Sequence, residues 1–382
     1  MKFLPLFIFW CLWFLNYSTR AAFSPILPLI EDNLSLSHSE AGGLYTSLSI
    51  GYSLSMFAAG RFAFVWGYKR TVVIGFLGIS LALFGIQWVE SYPTFHVLFL
   101  LIGMATGGYM PSIIPIITET YDSRHWGKAI GLHDSAASFS IFLVPILVVF
   151  GLHFFPWRRL FLVLGITALL LPIYFWKVSI EPKGEMSQRN CRYTDLFKRR
   201  TVWIMSLLSI FASGSVTGLY AILPLYLIKE RGIDFSYANT IFGISRIGGI
   251  FVSVLSGFLT DRYGYKKILM LSLLLTGLST IGLSLAFTLP LILVFLFLQA
   301  AFAIAYFPPG LSAVSKLTSL SERSVATGMV FSFGSIFGMG IVPFLLGLIA
   351  DYFSFQIGIF FLGLLTTLSS LLVKFLKEKE DP

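Results

Sequence analysis

The sequence predicts an all-α integral membrane protein in which twelve transmembrane helices form two six-helix bundles. Three observations lead to this fold class: an apolar composition, twelve long apolar segments and an internal repeat. Of 382 residues, 56% are hydrophobic and only 12% are charged, and the mean hydropathy is +0.84. A soluble domain of this length cannot bury so much apolar surface, so we expect the bilayer to cover part of it.

Each apolar segment is close to or longer than the ~20 residues that a helix needs to cross about 30 Å of hydrocarbon. The predicted segments lie at 4–29, 39–61, 71–90, 95–118, 127–150, 159–179, 201–228, 238–260, 267–288, 291–314, 324–349 and 353–375.

The chain repeats itself at one fixed offset of 197 residues. The tetrapeptide GYKR at 67–70 returns as GYKK at 264–267, and four single residues return at the same offset. These pairs are Pro93 and Pro290, Tyr109 and Tyr306, Pro111 and Pro308, and Gly131 and Gly328. The repeat predicts two duplicated domains of like orientation, at 1–179 and 201–382, joined by a polar linker at 180–200.

The basic residues predict the orientation. The net charge of +9 could suggest nucleic acid, but lysines and arginines cluster in the short breaks between apolar segments. Cytoplasmic loops of membrane proteins have this pattern. We therefore expect a multi-pass protein of a prokaryotic inner membrane with both termini and the linker in the cytoplasm, and no nucleic-acid partner.

The segment GFLTDRYGYKK at 257–267 combines a glycine, an Asp-Arg pair, a second glycine and a basic pair. It resembles the loop signature of the major facilitator superfamily, whose fold also has twelve helices and a long central loop. The resemblance implies a conformational latch on the cytoplasmic side in the outward-open state. Its residues here would be Gly257, Asp261, Arg262, Gly264, Lys266 and Lys267.

The first copy of this motif, GRFAFVWGYKR at 60–70, departs from the pattern. Phe64 occupies the position of the acid, and Val65 occupies that of the arginine. One of the two latches implied by the family is therefore not expected to form in the usual way.

A second resemblance concerns helices 1 and 2. The stretch NYSTRAAFSPILPLIEDNLSLSHSEAGGLYTSLSIGYS at 16–53 is similar to the anion:cation symporter branch, which carries organic and inorganic anions. Arg20 matches the helix 1 arginine of that branch, although Thr19 stands where the branch usually has Asp. The segment GLHDSAASFSIFLVP at 131–145 resembles helix 5 of several bacterial facilitators and does not indicate a substrate.

Arg20 and Arg246 are the basic residues predicted to lie deep in the membrane, where an ionised side chain is costly and usually functional. A rise of 1.5 Å per residue puts both at a similar depth, about 5 Å to the external side of the midplane. We expect the two arginines to clamp an anion, because Arg binds carboxylate or phosphate with two parallel hydrogen bonds. Alternatively, Arg246 forms a structural pair with Asp134.

Polar side chains on several helices suggest a hydrated interior, although small hydroxyl groups also serve helix packing. Together with the two arginines, the predicted substrate-binding residues are Asn16, Tyr17, Tyr45, Tyr109, Tyr220 and Tyr306. Neighbouring His133 and Asp134 are candidates for proton coupling, because His titrates near neutrality and burial changes the affinity of a carboxylate for protons. The alternative is an interfacial pair with Arg124 or Lys128.

These features predict a secondary active transporter that moves a small organic anion by alternating access, coupled to protons. We expect a monomer with a small-molecule substrate and no cofactor or metal, and no motif suggests an enzyme. Two other functions remain open: a proton-antiport exporter of drugs or metabolites whose cationic or neutral cargo depends on Asp134, and a facilitator-like sensor or assembly protein that does not transport.

Overall fold

A computed structural model describes residues 3–122, 125–182, 196, 198–318 and 323–376. Across these residues the chain forms twelve membrane-length helical segments, numbered here in chain order. They are α1 (Phe3–Ala21 and Phe23–Leu34), α2 (His38–Trp66), α3 (Tyr68–Trp88), α4 (Tyr92–Thr120), α5 (Trp126–Leu152), α6 (Trp157–Val178), α7 (Arg200–Glu230), α8 (Phe235–Tyr263), α9 (Tyr265–Leu285), α10 (Leu289–Leu317), α11 (Arg323–Phe333, Gly334–Ile341 and Val342–Tyr352) and α12 (Phe355–Phe375).

The all-helical fold with twelve helices is confirmed, and each predicted segment lies within a few residues of an observed helix. In the part of the chain that the structure describes, ten helices are long and apolar enough to cross a membrane. The other two are α1, which contains the polar run from Asn16 to Arg20, and α2, which is rich in serine and glycine. Polar residues in α1 and α2 make these helices candidates for lining a site.

The chain forms two compact units. The first consists of 1–36, 44–186 and 233–243, and the second of 37–43, 187–232 and 244–382. The predicted domain boundaries at 179 and 201 remain a prediction, and most of the predicted linker at 180–200, like Arg124, lies outside the described residues.

Prolines interrupt the helices at positions related by the repeat. Within α4 the helix breaks at Gly108, and within α10 it breaks at Ala305 and Tyr306. Pro111 and Pro308 each lie three residues after the first residue of the break. Proline has no N–H group to donate to the carbonyl four residues earlier, so one helical hydrogen bond is missing there. The duplication therefore extends from the sequence to the backbone. A similar break at Ala22 in α1 comes three residues before Pro25.

Glycines bring α2 and α4 into backbone contact within the first unit. A Cβ atom added at Gly103 would overlap the carbonyl oxygen of Leu48, and one at Gly107 would overlap that of Tyr52. A Cβ at Gly51 would overlap the carbonyl of Leu100 on the opposite helix. Small residues at helix interfaces allow this close approach in membranes, where van der Waals packing drives association.

Carboxylates from distant parts of the chain cap three helix N-termini. Glu181, just after α6, accepts hydrogen bonds from the amides of Tyr68 (2.6 Å) and Lys69 (3.1 Å) at the start of α3. Asp351 accepts from His38 (2.8 Å) and Ser39 (3.0 Å) at the start of α2 in the second unit. In the same unit, Glu230 accepts from the first two amides of α12. Each carboxylate satisfies N–H groups that have no partner within their own helix.

Replacing Gly103 with Ala should destabilise the protein by about 1 to 3 kcal/mol, because the added methyl group overpacks the α2–α4 contact. A thermal melt of the purified protein would measure the change. The matched control is Gly131→Ala in α5, where a Cβ meets nothing within 4 Å, so stability should hold or rise slightly. Equal melting temperatures for the two variants would show that the close contact does not stabilise the fold.

The Glu181→Gln variant should loosen the first turn of α3, because it removes the negative charge that complements the helix N-terminus. The expected loss is about 0.3 to 1 kcal/mol, and it should appear as faster hydrogen exchange at the amides of Tyr68 and Lys69. Glu119→Gln removes another exposed carboxylate, at the end of α4, and serves as the control. Unchanged exchange in the Glu181 variant would rule out the cap.

Candidate functional site

The guanidinium group of Arg20 lies in an aromatic cage in the first unit. Its Cζ atom is 4.7 Å from the ring centre of Tyr17 and 4.6 Å from that of Tyr52. The Trp13 ring is 6.0 Å away. These contacts are in the range of cation–π interactions, which strengthen when the cation is desolvated. Aromatic rings therefore hold Arg20 in place without neutralising its charge.

Two hydrogen-bond donors of Arg20 are left without an acceptor in the part of the chain that the structure describes. Its Nε and Nη2 atoms are buried, and neither has a hydrogen-bond partner among the described residues. These two N–H groups lie on the same edge of the planar guanidinium and can donate in parallel to one carboxylate. Buried donors without acceptors are costly, so this edge is suited to bind an anion.

Asn16 fixes α1 against the end of the first half of α4. The side chain is fully buried, and its amide nitrogen donates to the carbonyl oxygen of Thr106 at 3.2 Å, just before the break at Gly108. Its Oδ1 atom is buried and has no hydrogen-bond partner among the described residues. One end of the predicted binding residue Asn16 is therefore structural, and the other end can accept a hydrogen bond.

A stack of three rings begins at Trp13, two turns before Arg20 along α1. The three rings are nearly parallel and in mutual contact, with centres 5.3 Å apart for Trp13 and Tyr109, 6.0 Å for Trp13 and His133, and 5.8 Å for Tyr109 and His133. The hydroxyl of Tyr109 donates to the carbonyl of Phe9 at 3.1 Å and is 3.0 Å from Nε2 of His133. Because a phenol has one proton, this arrangement places the imidazole proton on Nε2, which donates to the Tyr109 oxygen. The stack joins α1, α4 and α5.

His133 and Asp134 face different surroundings, although they are adjacent in α5. His133 is completely buried in the ring stack, whereas Asp134 is exposed. The Trp13 indole nitrogen lies near the Asp134 carboxylate but makes no hydrogen bond of good geometry to any described residue. Of the alternative partners for this pair, Lys128 is exposed and Arg124 lies outside the described residues.

Arg246 is a buried cation in the second unit. It lies at the break in α8, just before the pair Gly248 and Gly249, and only 3% of its surface is exposed. Its Cζ atom is 5.3 Å from the ring centre of Tyr220. Tyr220 follows a π-helical turn at Gly214–Gly218, a feature that occurs often at functional sites. The structure thus brings predicted residues Arg246 and Tyr220 together.

Two other predicted binding residues have packing contacts. Tyr45 packs edge-to-face on Phe99 at 5.9 Å. Tyr306 belongs to the apolar core of the second unit, where it contacts Phe307. Tyr109 and Tyr306 therefore occupy repeat-related positions but have different surroundings, because only Tyr109 meets a histidine and an indole.

The predicted latch forms an exposed turn in the second unit. Gly264 has a φ of +85°, which favours glycine, and it separates α8 from α9. Arg262 and Lys267 both contact the ring of Tyr263, at 5.3 and 5.4 Å from its centre. Asp261 is exposed and has no hydrogen bond or ion pair within the described residues. Gly257 lies near Pro308, and Lys266 is half-buried.

Sequence reasoning missed Trp13 and Tyr52 as site residues. Trp13, Tyr17 and Arg20 are spaced four and three residues apart, which places them on one helix face, and this signal could have identified Trp13. Tyr52 comes from another helix, so its place beside Arg20 depends on how α2 packs against α1. Among the described residues, no group of three or more His, Cys, Asp or Glu side chains could hold a metal ion.

Comparison with known proteins shows the family. The model described as Major Facilitator Superfamily matches residues 9–259 and 205–382. Relatives include the hexuronate transporter of Bacillus subtilis, 25% identical over 66% of this chain and 63% of the relative, so the matched region is less than two thirds of that protein. The probable L-galactonate transporter of Escherichia coli is 21% identical over 95% of this chain and 86% of its own. The probable sulfoacetate transporter of Cupriavidus necator is 25% identical over 67% and 64%.

Solved structures share the fold over almost the whole chain. A D-xylose–proton symporter superposes with a TM-score of 0.82 at 18% identity and covers 100% of this chain and 99% of its own. The nucleoside transporter NupG gives 0.83 at 15% identity, with 98% and 100% covered. The match to the family model and the shared twelve-helix fold show that this chain belongs to the Major Facilitator Superfamily of membrane transporters.

Proposed function

We propose that this protein is a secondary active transporter that carries a small organic anion across the inner membrane, with Arg20 as the anchor for the anion. The observation that carries this proposal is the caged guanidinium of Arg20, whose Nε and Nη2 donors are buried without an acceptor among the described residues. An arginine at this depth of a membrane helix is costly, and the anion would compensate that cost.

The geometry of the cage favours a carboxylate over a cation. Tyr17 and Tyr52 stand over the guanidinium within 5 Å, and the edge formed by Nε and Nη2 remains available to a ligand. Two parallel N–H groups match the two oxygens of a carboxylate, which lies in the plane of the fork. The nearby Oδ1 of Asn16 could accept a hydrogen bond from a hydroxyl group of the same solute.

The relatives support this class of substrate. The names of the hexuronate, L-galactonate and sulfoacetate transporters each denote an organic anion. The D-xylose–proton symporter shares the fold, which supports proton coupling as a mechanism that this fold can use. We propose proton symport for this chain, with both termini in the cytoplasm and a monomer as the functional unit. A transporter of this kind would have no catalytic activity.

Arg246 is proposed as a second anion-binding group. It is buried in α8 at a break in the helix, beside the ring of Tyr220. The alternative, a structural pair with Asp134, remains open. Alternating access would couple binding to movement, because a ligand stabilises the conformation that binds it more tightly. Asp261 would act as a latch in a conformation in which it meets a helix N-terminus.

Arg20→Ala should abolish anion binding and leave the fold intact, because the change removes both the anchor and a costly membrane charge. Arg20→Lys should recover little, since an ammonium lacks the planar fork. The loss should be at least about tenfold, the value expected for a charged hydrogen bond of 1.5 kcal/mol or more. Quenching of tryptophan fluorescence can report binding of hexuronate, galactonate and sulfoacetate, because Trp13 lies beside Arg20.

Tyr52→Phe is the control for the Arg20 variants, because it keeps the aromatic ring beside the guanidinium and removes only the hydroxyl group. Its affinity should stay within a few-fold of the parent, whereas Tyr52→Leu should weaken binding by removing a cation–π contact of about 0.5 to 2 kcal/mol. If Arg20→Ala binds all three anions as the parent does, the anchor is elsewhere and the proposal is wrong.

Asp134 and His133 should differ in their effect on proton coupling. We assign the coupling proton to Asp134, because His133 has a packing role in the ring stack that does not require a charge. In proteoliposomes, Asp134→Asn should remove the stimulation of anion uptake by an inward proton gradient. His133→Gln keeps a donor for Tyr109 and should retain that stimulation.

The same assay tests the exporter alternative. Proton-driven transport of a cationic compound that requires Asp134 and ignores Arg20 would favour the exporter. Transport of neither class, with binding retained, would favour a facilitator-like sensor. Stimulation that survives in Asp134→Asn and disappears in His133→Gln would move the coupling proton to His133.

A further inference from the structure

A long apolar groove runs along the outside of the first unit between α2, α3 and α4. It has a volume of about 580 Å³, and small residues such as Gly78, Ala82 and Ala105 form part of its lining. Its lining on α3 extends from Thr71 to Gly85, which corresponds to about 21 Å of helix. One leaflet of the hydrocarbon core is only about 15 Å thick, so the groove is long enough to hold an extended acyl chain over its whole length.

One end of the groove adjoins a second hollow of about 320 Å³ that contains Arg61. Phe62 and Trp66 line both hollows, and their rings pack against each other at 5.3 Å. Arg61 is exposed and has no acidic partner or hydrogen bond within the described residues. A cation without a partner therefore lies where the apolar groove ends, next to a tryptophan of the kind that prefers the membrane interface.

From this arrangement we infer that the groove and Arg61 form a binding site for one anionic phospholipid. An acyl chain fills the groove, and the phosphate of the headgroup receives hydrogen bonds from the guanidinium of Arg61. The occupant must be largely apolar, because the polar atoms that the lining offers are few, and it must carry an anion at one end. A phospholipid with net negative charge combines both properties, and basic pockets at helix surfaces bind such headgroups.

The lipid site is separate from the anion site at Arg20. None of Trp13, Tyr17, Arg20 and Tyr52 lines either hollow. Loss of lipid binding and loss of anion binding can therefore be measured independently, and failure of one proposal leaves the other unaffected.

The test is native mass spectrometry of the full-length protein, delipidated and mixed with equal amounts of phosphatidylglycerol and phosphatidylcholine that carry the same acyl chains. The parent should retain one phosphatidylglycerol in preference to phosphatidylcholine by about fivefold, the effect of one arginine near a lipid headgroup. Arg61→Gln should bring this ratio close to one. Arg70→Gln removes another exposed arginine just beyond the groove and should keep the preference.

A second pair of variants tests the groove itself. Ile74 lines the groove and is 48% exposed, so Ile74→Trp adds bulk there without disturbing the core, and retention of both lipids should fall. Val97 is 58% exposed and lies outside the groove, so Val97→Trp is the matched control and should bind lipid as the parent does.

Three outcomes would overturn the inference. They are equal retention of the two lipids by the parent, equal effects of Arg61→Gln and Arg70→Gln, and equal effects of Ile74→Trp and Val97→Trp. Melting temperatures close to that of the parent would confirm that all four variants are folded.

Discussion

The backbone contact between α2 and α4 is the constraint on which the candidate site depends. Gly51, Gly103 and Gly107 leave no room for side chains between these helices, so the register of one fixes the other. Tyr52 follows Gly51 directly, and its ring therefore has a defined place over the guanidinium of Arg20. A looser contact would leave the charge of Arg20 with one aromatic neighbour fewer. In a membrane, such packing replaces the hydrophobic effect as the source of precision between helices.

The buried polar groups of the first unit differ in whether they find hydrogen-bond partners within the protein. Tyr109 donates to a backbone carbonyl and accepts from His133, and Asn16 donates to the carbonyl of Thr106. These bonds connect α1 to α4 and α4 to α5. Arg20 differs, because packing fixes its position while two of its donors remain available. A group that is well positioned but not satisfied is preorganised for a ligand, since little ordering is left to lose on binding.

Helix positions, the repeat and the family could be predicted from the sequence, because they depend on local patterns: apolar length, proline positions and a loop motif. The cage could be predicted only in part. Spacing along α1 places Tyr17 beside Arg20, but Tyr52 depends on contacts between helices. The Glu181 cap was missed for the same reason, since it joins residues 113 positions apart at Tyr68. The first latch motif lacks its own acid at Phe64, and the neighbouring helix start instead receives one from beyond α6.

The two halves have retained their backbone breaks and diverged in their charged side chains. The breaks near Pro111 in α4 and Pro308 in α10 lie at the same repeat position. In contrast, the repeat partner of Arg20 is Thr217, and that of Arg246 is Ser49. A transporter needs comparable movement in both halves, and movement depends on where helices bend. The proposed site needs no such symmetry, because the small organic anion that we propose as its ligand has two unlike ends. Duplication therefore accounts for the helix breaks that the two halves share, and single residues such as Arg20 account for features that they do not share.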